Sequence, residues 1–338
     1  MIKTGRITAH QIALMAGVSQ PTVSRALRGE KRVNEETRQR ILDIASAHNY
    51  TVDFNAMRLR TQETRTIALV VLCRKGENKA NINPFYLSLL GCIAASASDH
   101  GYSLIVSFQE SPANFFANYV GSRQADGMIL IGSGQNVEGW QYFSDFARAD
   151  TPMICWGASD HDLPAISSDN VQGAQLAVRH LMSKGCKRIA YIGPTSSEQP
   201  QFQIRLATYL TEMAAHELDP ICPALPENAV REEQGHEAVD ALIRDGIPFD
   251  GIFAANDFIA LGAMRALDEA GIAVGNQVRV IGFDGIATGG YAQPPLTTIE
   301  QDYRRAGEML VEALIAVLND KVPPCDPVPV RLLERGSA

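Results

Sequence analysis

Between Thr8 and Tyr50, apolar side chains recur at helical spacing in three short segments. Thr8, Ser19 and Asn34 precede these segments, where a polar side chain can cap the amino end of a helix. Gly17 follows the first segment and allows the left-handed backbone of a tight turn. Two short helices joined by a glycine turn, with polar residues outward on the second, predict a helix-turn-helix. The alternative is an ordinary three-helix surface unit, which does not explain why caps, turn glycine and polar face occur together.

From Thr66 onward, apolar strand sequences alternate with segments of helical periodicity. The predicted strands are TIALVVL, SLIVSF, DGMILIG, PMICWG, KRIAYIGP, FDGIFAAND and VRVIGFDG. The predicted helices cover residues 84–100, 115–122, 137–149, 170–183, 202–217, 232–244, 257–269 and 301–318. This alternation predicts parallel sheets covered on both faces, and the number of units favours two lobes. The predicted fold class is therefore an all-α helix-turn-helix domain followed by a two-lobed α/β domain with two doubly wound parallel sheets.

Small and polar residues follow several of the predicted strands. These positions are Gly132-Ser133-Gly134, Trp156-Gly157, Gly193-Pro194, Asn256-Asp257 and Asp284-Gly285. In open α/β sheets the ligand crevice lies beyond the carboxyl ends of the strands, where such residues leave room and offer hydrogen bonds. The sequence therefore predicts a small-molecule site at these strand ends.

The distribution of charge separates the same two regions. Residues 1–60 contain ten Lys or Arg and five Asp or Glu, a net charge of +5, whereas the whole chain carries −8 and the remainder therefore −13. A basic segment attached to an acidic body predicts a module that meets nucleic-acid phosphates. Residues 52–65, between the two regions, are polar and contain one short helical turn at about 55–60, which is marginal in isolation.

Several classes of protein are disfavoured by the sequence. No apolar run has the length of a bilayer span, and the amino-terminal stretch lacks the apolar core of a signal peptide. The six cysteines include no CxxC pair and the seven histidines are widely spaced, so we expect a cytoplasmic protein with reduced thiols and no metal, cofactor or membrane partner. P-loop, dinucleotide-binding, serine-hydrolase and zinc-protease motifs are missing, so we expect no enzyme activity. A stand-alone sugar-binding transport protein would have an export signal and no helix-turn-helix.

Seven motifs extend over nearly the whole chain. They are AGVSQPTVSRAL, RVNEETRQRI, AHNY, RTIALVV, ANDFIALGAMRAL, VIGFDG and PPLTTIEQD. In this order they resemble the lactose-repressor/galactose-repressor (LacI/GalR) family of bacterial transcription regulators. The resemblance implies a sequence-specific DNA-binding repressor whose body is like a periplasmic binding protein. It also implies a DNA-binding domain at 1–51, a linker with a hinge helix at 52–65, and an effector and dimerisation domain at 66–338, with an N-lobe at about 66–168 and 301–325 and a C-lobe at about 169–300 and 326–338.

In the family that the chain resembles, the second helix enters the major groove of DNA. Gln20, Pro21 and Arg25 match the positions that reach base edges, and Arg25 can form a bidentate contact with guanine. Leu59 matches a side chain that wedges between base pairs from the minor groove, and Ala56 matches a small residue where two hinges meet. The residues that the resemblance assigns to DNA are Thr8, Ser19, Gln20, Pro21, Thr22, Ser24, Arg25, Arg28, Asn34, Ala56 and Leu59.

The hinge sequence departs from the family pattern. Val52 and Asp53 stand where a Pro-Asn pair is common, and Met57 stands where an arginine is common. An additional acid and one fewer base reduce the attraction of this segment to phosphate. The alternatives to the assigned contacts are a solvated charge for Arg25 and an ordinary surface leucine for Leu59.

The resemblance also assigns six residues to the effector: Phe85, Trp156, Arg205, Phe253, Asn256 and Asp284. Arginine, amide and carboxylate groups suit the vicinal hydroxyls of a sugar, and aromatic rings can stack on its apolar face. A core tryptophan is the alternative for Trp156. The purine-responsive member of the family shares the aromatic pattern, but this chain lacks an arginine around Gln199. We therefore favour a sugar as the effector, with a nucleobase as the alternative.

Family members dimerise through the body, which places two reading helices on a pseudo-palindromic operator in double-stranded DNA. The chain has no leucine heptads after its last long helix, so we expect a homodimer rather than a tetramer. A ligand that binds two states of the body unequally would change the affinity for DNA. Induction and corepression are both compatible with the sequence, as are several operators and effectors.

Overall fold

The computed structural model describes residues 7–27, 32–48, 50, 63–76, 82–134, 136–147, 151–157, 163–195, 199–226 and 229–338. The chain divides into two compact units, Met1–Glu63 and Thr64–Ala338. Three of the predicted DNA contacts, Arg28, Ala56 and Leu59, lie outside the described residues. The roles assigned to them stay predictions.

Three helices make up the described part of the first unit. They are α1 (Ala9–Ala16), α2 (Gln20–Leu27) and α3 (Glu35–Ala47). Thr8 and Gln11 form a reciprocal capping box at the start of α1. Asn34 caps α3, because its Oδ1 accepts a 2.7 Å hydrogen bond from the backbone N–H of Thr37. Gly17 ends α1 in the left-handed conformation, with φ of 66°, and turns the chain toward α2.

The core of the first unit contains one fully buried aliphatic side chain from each helix. Ile12 of α1, Val23 of α2 and Ile41 of α3 have no solvent exposure. Helices of this length are marginal in water by themselves, so each depends on packing against the other two. The predicted helix-turn-helix is confirmed, with Thr8 and Asn34 as caps of α1 and α3 and Gly17 at the turn.

Strands and helices alternate along the second unit. The strands are β1 (Thr66–Leu72), β2 (Ser103–Gln109), β3 (Gly127–Gly132), β4 (Met153–Trp156), β5 (Ala165–Ile166), β6 (Ile189–Ile192), β7 (Gly251–Ala254), β8 (Arg279–Asp284), β9 (Thr297–Gln301) and β10 (Val330–Leu333). The helices are α4 (Pro84–Asp99), α5 (Val137–Ala147), α6 (Asn170–Ser183), α7 (Pro200–Ala215), α8 (Arg231–Arg244), α9 (Asp257–Glu269) and α10 (Tyr303–Leu318).

These elements build two lobes, each around a five-stranded sheet. The strand order is β2-β1-β3-β4-β5 in the first lobe, where all neighbouring strands are parallel. It is β10-β9-β8-β7-β6 in the second lobe, where β10 is antiparallel to β9 and the other pairs are parallel. Strands β1 and β3 are buried along their whole length, as parallel strands covered on both faces should be. The predicted fold class is confirmed, and β10 is an antiparallel addition to it.

The chain passes between the lobes at three neighbouring places. The first follows β5, the second follows β9 and leads into α10, whose Leu310 and Leu314 pack in the core of the first lobe, and the third precedes β10. Ser168 Oγ donates a 2.5 Å hydrogen bond to Gln301 Oε1, and Ser168 also forms a β-bridge with Val328. These contacts tie the three crossings together, so movement of one lobe on the other must act on them.

The predicted helix over residues 115–122 is wrong, because these residues form turns and irregular structure. Buried Gln109 explains the difference. Its Oε1 accepts a 2.7 Å hydrogen bond from the N–H of Phe116, and its Nε2 donates a 3.0 Å bond to the carbonyl of the same residue. Backbone groups engaged by a side chain in this way cannot form helical bonds. The last long helix begins at Tyr303 rather than Gln301, because β9 extends through Gln301.

Candidate functional site

The outer face of α2 presents polar side chains to solvent. Of the predicted contacts on this face, Ser19, Gln20, Pro21 and Arg25 are exposed, and Thr22 and Ser24 are half-buried. Val23 and Ala26 point into the core of the unit, so their packing sets the orientation of this face. The hydroxyls of Ser19 and Thr22 are hydrogen-bonded at 2.8 Å at the amino end of α2. A short helix with exposed hydrogen-bonding side chains is suited to the major groove of DNA.

Thr8 and Asn34 lie at the amino ends of α1 and α3, and both are exposed. The side chain of Thr8 accepts a hydrogen bond from the N–H of Gln11 at 3.3 Å, while that of Asn34 caps α3. Both residues are therefore explained by helix capping. The amino end of a helix also attracts phosphate, so capping and DNA contact are compatible at these positions.

A cavity of about 1110 Å³ lies between the two lobes, at the carboxyl ends of the parallel strands. Five of the six predicted effector residues line it: Phe85, Trp156, Arg205, Asn256 and Asp284. The first two come from the first lobe and the other three from the second. The structure thus brings together, at one cavity, side chains that are far apart in the sequence.

The prediction for Phe253 is corrected by the structure, because this residue is not among those that line the cavity. Its side chain lies on β7 with no solvent exposure, and its ring packs edge-on against Tyr191 at 5.5 Å between ring centroids. Phe253 is therefore a core residue of the second lobe. Phe258, in the first turn of α9, lines the cavity instead.

Aromatic rings form the wall that the first lobe contributes. The ring of Phe85, in the first turn of α4, lies 6.0 Å from that of Trp156 and 5.4 Å from that of Tyr303. Asn83 caps α4 by accepting a 2.9 Å bond from the N–H of Phe85, which fixes the backbone of this residue. Trp156 is 8% exposed, so one edge of a buried cluster faces the cavity. This arrangement can hold an apolar ligand face.

Arg205 projects from α7 toward the opposite wall, and its burial is almost complete at 4% exposure. Its Nε donates to Asn170 Oδ1 at 2.9 Å, and its Nη1 donates to the carbonyl of Ala255 at 2.6 Å. The guanidinium lies 3.4 Å from the centroid of the Phe283 ring. Burial lowers the pKa of Arg205, whereas the nearby carboxyl of Asp284 opposes that shift. These contacts hold the guanidinium rigidly at the edge of the cavity.

Asp284 ends β8 with a φ of 127°, a region that few residues other than glycine adopt. Its Oδ1 accepts a 2.7 Å hydrogen bond from Gln301 Nε2, and its backbone carbonyl accepts one from the hydroxyl of Tyr303. Burial raises the pKa of the Asp284 carboxyl, while the positive charge of Arg205 acts in the opposite direction. Asp284 is therefore held in an unusual backbone conformation beside a fixed guanidinium.

Asn256 and Asp257 are adjacent in sequence and have different roles. Asn256 lines the cavity and caps α9, because its Oδ1 accepts a 2.9 Å bond from the N–H of Ile259. Asp257 has no solvent exposure and accepts bonds from Thr298 Oγ1 at 2.5 Å and from the N–H of Ile286 at 2.8 Å. Asp257 thus joins the loop after β8 to α9, whereas Asn256 keeps an amide at the cavity.

Arg231 lines the cavity and was not identified from the sequence, because it begins a helix rather than ending a strand. Its Nη2 donates to Gln199 Oε1 at 3.1 Å and its Nη1 to Gln234 Oε1 at 2.7 Å, and its guanidinium lies 5.0 Å from the Phe202 ring centroid. The missing arginine near Gln199 was the reason for favouring a sugar over a nucleobase. Since Arg231 reaches this position from another helix, that reason is weakened.

Close packing between α8 and α9 determines where Arg231 lies. A Cβ atom added to Gly262 of α9 would stand 1.9 Å from the backbone oxygen of Glu232, the residue after Arg231. A Cβ on Gly235 of α8 would stand 2.0 Å from the backbone oxygen of Ile259. The two helices therefore approach each other through backbone atoms, which is possible only because both positions are glycine.

Within the described residues, no group of three or more His, Cys, Asp or Glu side chains is arranged to hold a metal ion. No helix in the described part of the chain combines the length and apolar character needed to cross a membrane.

Comparisons with known proteins cover both units. Residues 8–53 match the model of the family described as bacterial regulatory proteins, lacI family, and residues 178–338 match that of the periplasmic binding protein-like domain. The chain is 27% identical to the ribose operon repressor of Escherichia coli strain K12, over 98% of this chain and 99% of that protein. It is 26% identical to the HTH-type transcriptional repressor PurR of Mannheimia succiniciproducens, over 91% of this chain and 90% of that protein.

A solved structure has the same fold over nearly the same length. The lac repressor dimer, bound to operator and the anti-inducer ONPF, matches with a TM-score of 0.78 and 24% identity, over 98% of this chain and 99% of that chain. The likeness therefore extends from the helix-turn-helix to the last strand of the second lobe.

Proposed function

Because the chain belongs to the lacI family of bacterial regulatory proteins, we propose that it is a transcriptional repressor that binds a pseudo-palindromic DNA operator as a homodimer. A small molecule in the cavity between the lobes controls that binding. One observation carries this proposal. The same chain has a capped helix-turn-helix with an outward polar face and, between two lobes, a cavity lined by fixed polar and aromatic side chains. The proposed function requires no catalytic step.

We propose the following division of the chain. Residues 1–51 bind DNA, residues 52–65 form the linker with its hinge helix, and residues 66–338 bind the effector and the second copy of the chain. The protein acts in the cytoplasm and is on the nucleoid when bound to its operator. Two reading helices related by a two-fold axis account for the pseudo-palindromic form of the operator.

On the DNA, Arg25 and Gln20 read base edges in the major groove, and Pro21 makes an apolar contact. Thr8, Ser19, Thr22, Ser24, Arg28 and Asn34 position the domain on the phosphates. Leu59 wedges into the minor groove at the centre of the operator, while Ala56 lies where the two hinge helices meet. The exposure of Ser19, Gln20, Pro21 and Arg25 on one face supports this assignment.

We propose a sugar as the effector. Arg205, Asn256 and Asp284 bind its hydroxyls from the second lobe, and Phe85 and Trp156 contact its apolar face from the first. A nucleobase is the second candidate. The sequence disfavoured it because no arginine stands around Gln199, but Arg231 lies beside Gln199 in the structure, which favours this candidate. Both candidates require the same pairing of a polar wall and an aromatic wall.

The structure suggests how occupancy of the cavity reaches the crossings between the lobes. Asp284 accepts a hydrogen bond from Gln301 Nε2, and Gln301 Oε1 accepts one from Ser168 at the first crossing. A ligand that changes the hydrogen bonding of Asp284 therefore acts on the segments that any lobe movement must bend. Differential binding to two lobe arrangements then changes the spacing of the two hinge helices, and with it the affinity for operator.

The decisive experiment selects DNA sequences from a random duplex pool with the full-length protein. We expect enrichment of inverted repeats, bound far more tightly than random duplex at moderate salt. Thermal-shift screening of sugars and nucleobases then identifies compounds that bind, and operator titrations in their presence give the direction of the switch. Absence of any preferred inverted repeat, with or without candidate ligands, would overturn the proposal.

A further inference from the structure

We propose that Asp126 is a positioning residue for DNA binding, because its carboxylate fixes the point and the direction at which the linker joins the first lobe. This inference rests on the proposed function, in which two linkers hold two DNA-binding domains at a defined separation. Asp126 lies 62 residues after Thr64 in the sequence and is not among the residues that line the cavity. Its proposed role is therefore distinct from contact with either DNA or effector.

Both carboxylate oxygens of Asp126 bind the chain where the second unit begins. Oδ1 accepts a 2.6 Å hydrogen bond from the N–H of Thr64, and Oδ2 accepts a 2.7 Å bond from the N–H of Arg65. Thr64 is the first residue of the second unit, so this contact lies at the junction with the predicted linker. An ionised acceptor forms stronger hydrogen bonds than a neutral one, and attachment at two points fixes direction as well as position. We call Thr64, Arg65 and Asp126 the linker anchor.

The backbone of Arg65 is in the left-handed region, with a φ of 50°. Residues with a Cβ atom adopt this region at a cost, so the surrounding contacts must hold it in place. The bond from its own N–H to Asp126 and the bond from the preceding N–H provide such contacts. The guanidinium of Arg65 also lies 5.3 Å from the centroid of the Tyr102 ring. The direction of the chain at the junction therefore depends on side chains from elsewhere in the first lobe.

Every backbone N–H and C=O group from Thr64 to Thr66 has a hydrogen-bond partner. Besides the two bonds to the carboxylate, the carbonyl of Arg65 accepts a 2.8 Å bond from the N–H of Ser103 at the start of β2. The carbonyl of Thr66 accepts a 2.8 Å bond from the N–H of Asp126. The other two groups bond within the segment, to the hydroxyls of Thr64 and Thr66. The segment is thus bound to both neighbours of β1 and is a rigid part of the sheet.

Strands β1 and β3 connect the linker anchor to the cavity. Thr66 begins β1 and Asp126 immediately precedes β3, whereas Cys73 and Ser133, which follow the two strands, line the cavity. The seven residues of β1 span about 20 Å at roughly 3.3 Å per residue. Both strands are buried along their whole length and pair in parallel, so they move as one body. A rotation of the first lobe is therefore passed through the anchor to the end of the linker.

The spacing of the two operator half-sites distinguishes positioning from a purely structural role. One base pair added at the centre of an operator moves its halves apart by about 3.4 Å and rotates them by about 35°. A dimer whose linkers leave at fixed points in fixed directions should bind the altered spacing poorly. If the anchor is loosened, the two DNA-binding domains can follow the change. A variant that only destabilises the body would bind less DNA but keep the same preference for spacing.

The test uses the full-length protein, the operator selected from the random pool, and two derivatives with one central base pair added or removed. We expect the unmodified protein to bind the derivatives roughly tenfold to a hundredfold more weakly than the operator. Asp126→Ala should bind the operator about tenfold more weakly and distinguish the three spacings by less than about threefold. Asp99→Ala removes the same charge from an exposed site at the end of α4 and should behave as the unmodified protein. Thermal melting and sedimentation confirm that each variant is folded and dimeric.

A matched pair of variants at Arg65 tests the backbone conformation separately. Arg65→Gly and Arg65→Val remove the same guanidinium, so its charge and its contact with Tyr102 are lost equally. Glycine adopts a positive φ freely, whereas a β-branched side chain strongly disfavours it. Arg65→Val should therefore bind the operator about tenfold more weakly than Arg65→Gly and discriminate less between the three spacings. This comparison does not depend on whether Asp126→Ala folds.

The possible results separate the inference from the proposed function. If Asp126→Ala binds the operator weakly but keeps the original preference for spacing, Asp126 is only structural and the inference is overturned. Equal binding by the two Arg65 variants also overturns it. Normal operator binding and spacing preference in Asp126→Ala would remove the inference and leave the proposed function intact. If the unmodified protein selects no inverted repeat, the proposed function fails and the inference fails with it.

Discussion

The first unit exposes the side chains that we propose bind DNA, whereas the second unit buries those that we propose bind the effector. Gln20, Pro21 and Arg25 lie on the outside of α2, and the stability of the helix depends on Val23 and Ala26 on the other side. In the second unit, Arg205 and Asp284 are almost fully buried and form hydrogen bonds within the protein. Function and stability are therefore separable in the first unit and combined in the second.

The difference follows from what each unit binds. DNA is a large polyanion that binds to the surface of a protein, so the side chains that contact its bases can be exposed to solvent in the free protein. A small ligand gains most of its affinity inside a closed, partly apolar cavity, so its polar partners must be oriented by other protein groups before it arrives. Four substitutions test this contrast, beginning with the one that should have the largest effect.

Arg205→Ala should impair both stability and ligand binding. It leaves the Asn170 amide and the Ala255 carbonyl without their donors and removes a cation from beside Asp284, which together should cost about 3 kcal/mol of unfolding free energy. Chemical denaturation and calorimetric titration with the effector are the measurements. Arg188→Ala, an exposed ion pair with Asp250 in the same lobe, is the control and should cost less than about 1 kcal/mol. A normal titration and normal stability would contradict the assignment.

Arg25→Ala should impair DNA binding without loss of stability. We expect operator binding to weaken by about 1–3 kcal/mol and specificity to relax at one base pair. The unfolding free energy should stay within about 0.5 kcal/mol of the original, because the side chain is exposed. Competition binding against operators mutated at single positions measures both effects. Arg40→Ala, an exposed arginine on α3, should leave base discrimination intact, and unchanged discrimination in Arg25→Ala would remove it from the set of base contacts.

Asp284→Asn should flatten the pH dependence of stability. Burial raises the pKa of Asp284 in the folded protein, as it does for neighbouring Asp257, so the folded state holds these protons more tightly than the unfolded state. Their contribution to stability is greatest at low pH and declines as the pH rises from the ordinary range of a carboxyl to the raised pKa. The slope for one such group is at most about 1.4 kcal/mol per pH unit.

Asparagine has nearly the same shape as the aspartate that already adopts this φ, and it cannot ionise. Asp284→Asn should therefore remove this slope for its own site while Asp257 retains its share. Denaturation at several pH values measures the change. Gln301 keeps an acceptor at the side-chain oxygen of the new asparagine and Tyr303 keeps the backbone carbonyl of residue 284, so neither loses its hydrogen-bond partner. An identical pH profile would show that the carboxyl is ionised throughout.

Asn34→Ala should have the smallest effect, a loss of about 1 kcal/mol in the stability of the first unit, because the N–H of Thr37 loses its cap. Asn34→Asp preserves the cap and serves as the control. Hydrogen exchange of the amides in α3 reports the loss locally. If Asn34→Ala weakens operator binding while exchange stays unchanged, Asn34 contacts DNA directly and its capping role is secondary.

The same contrast explains how much the sequence could predict. Capping residues and a turn glycine are local signals, so the helix-turn-helix was predicted together with the residue at which each of its three helices begins. Apolar runs identified seven of the ten described strands of the lobes. Strand β5 was missed because it has only two residues, and β9 and β10 were missed because their sequences are mixed and β10 pairs with a distant segment. The turns at residues 115–122 depend on the side chain of Gln109 at the end of β2, and no apolar periodicity reveals this contact.

The sequence by itself predicted those cavity-lining residues that lie at the carboxyl ends of strands. Trp156, Asn256 and Asp284 end or follow strands, and Phe85 and Arg205 came from the family resemblance. Phe253 was misplaced because its position is two residues before the loop, within the buried part of β7. Arg231 gave no signal because it begins a helix far from any strand end, and its neighbours Gln199 and Phe202 are brought to it by folding.

The glycine contact between α8 and α9 also affects how ligand preference can change. Gly262 does not line the cavity, yet its missing side chain lets α9 press against the backbone beside Arg231. Even a methyl group there would force α8 and α9 apart and so change the position of the Arg231 guanidinium relative to the cavity. Evolution or design could therefore change the ligand preference of the cavity without replacing any residue that contacts the ligand.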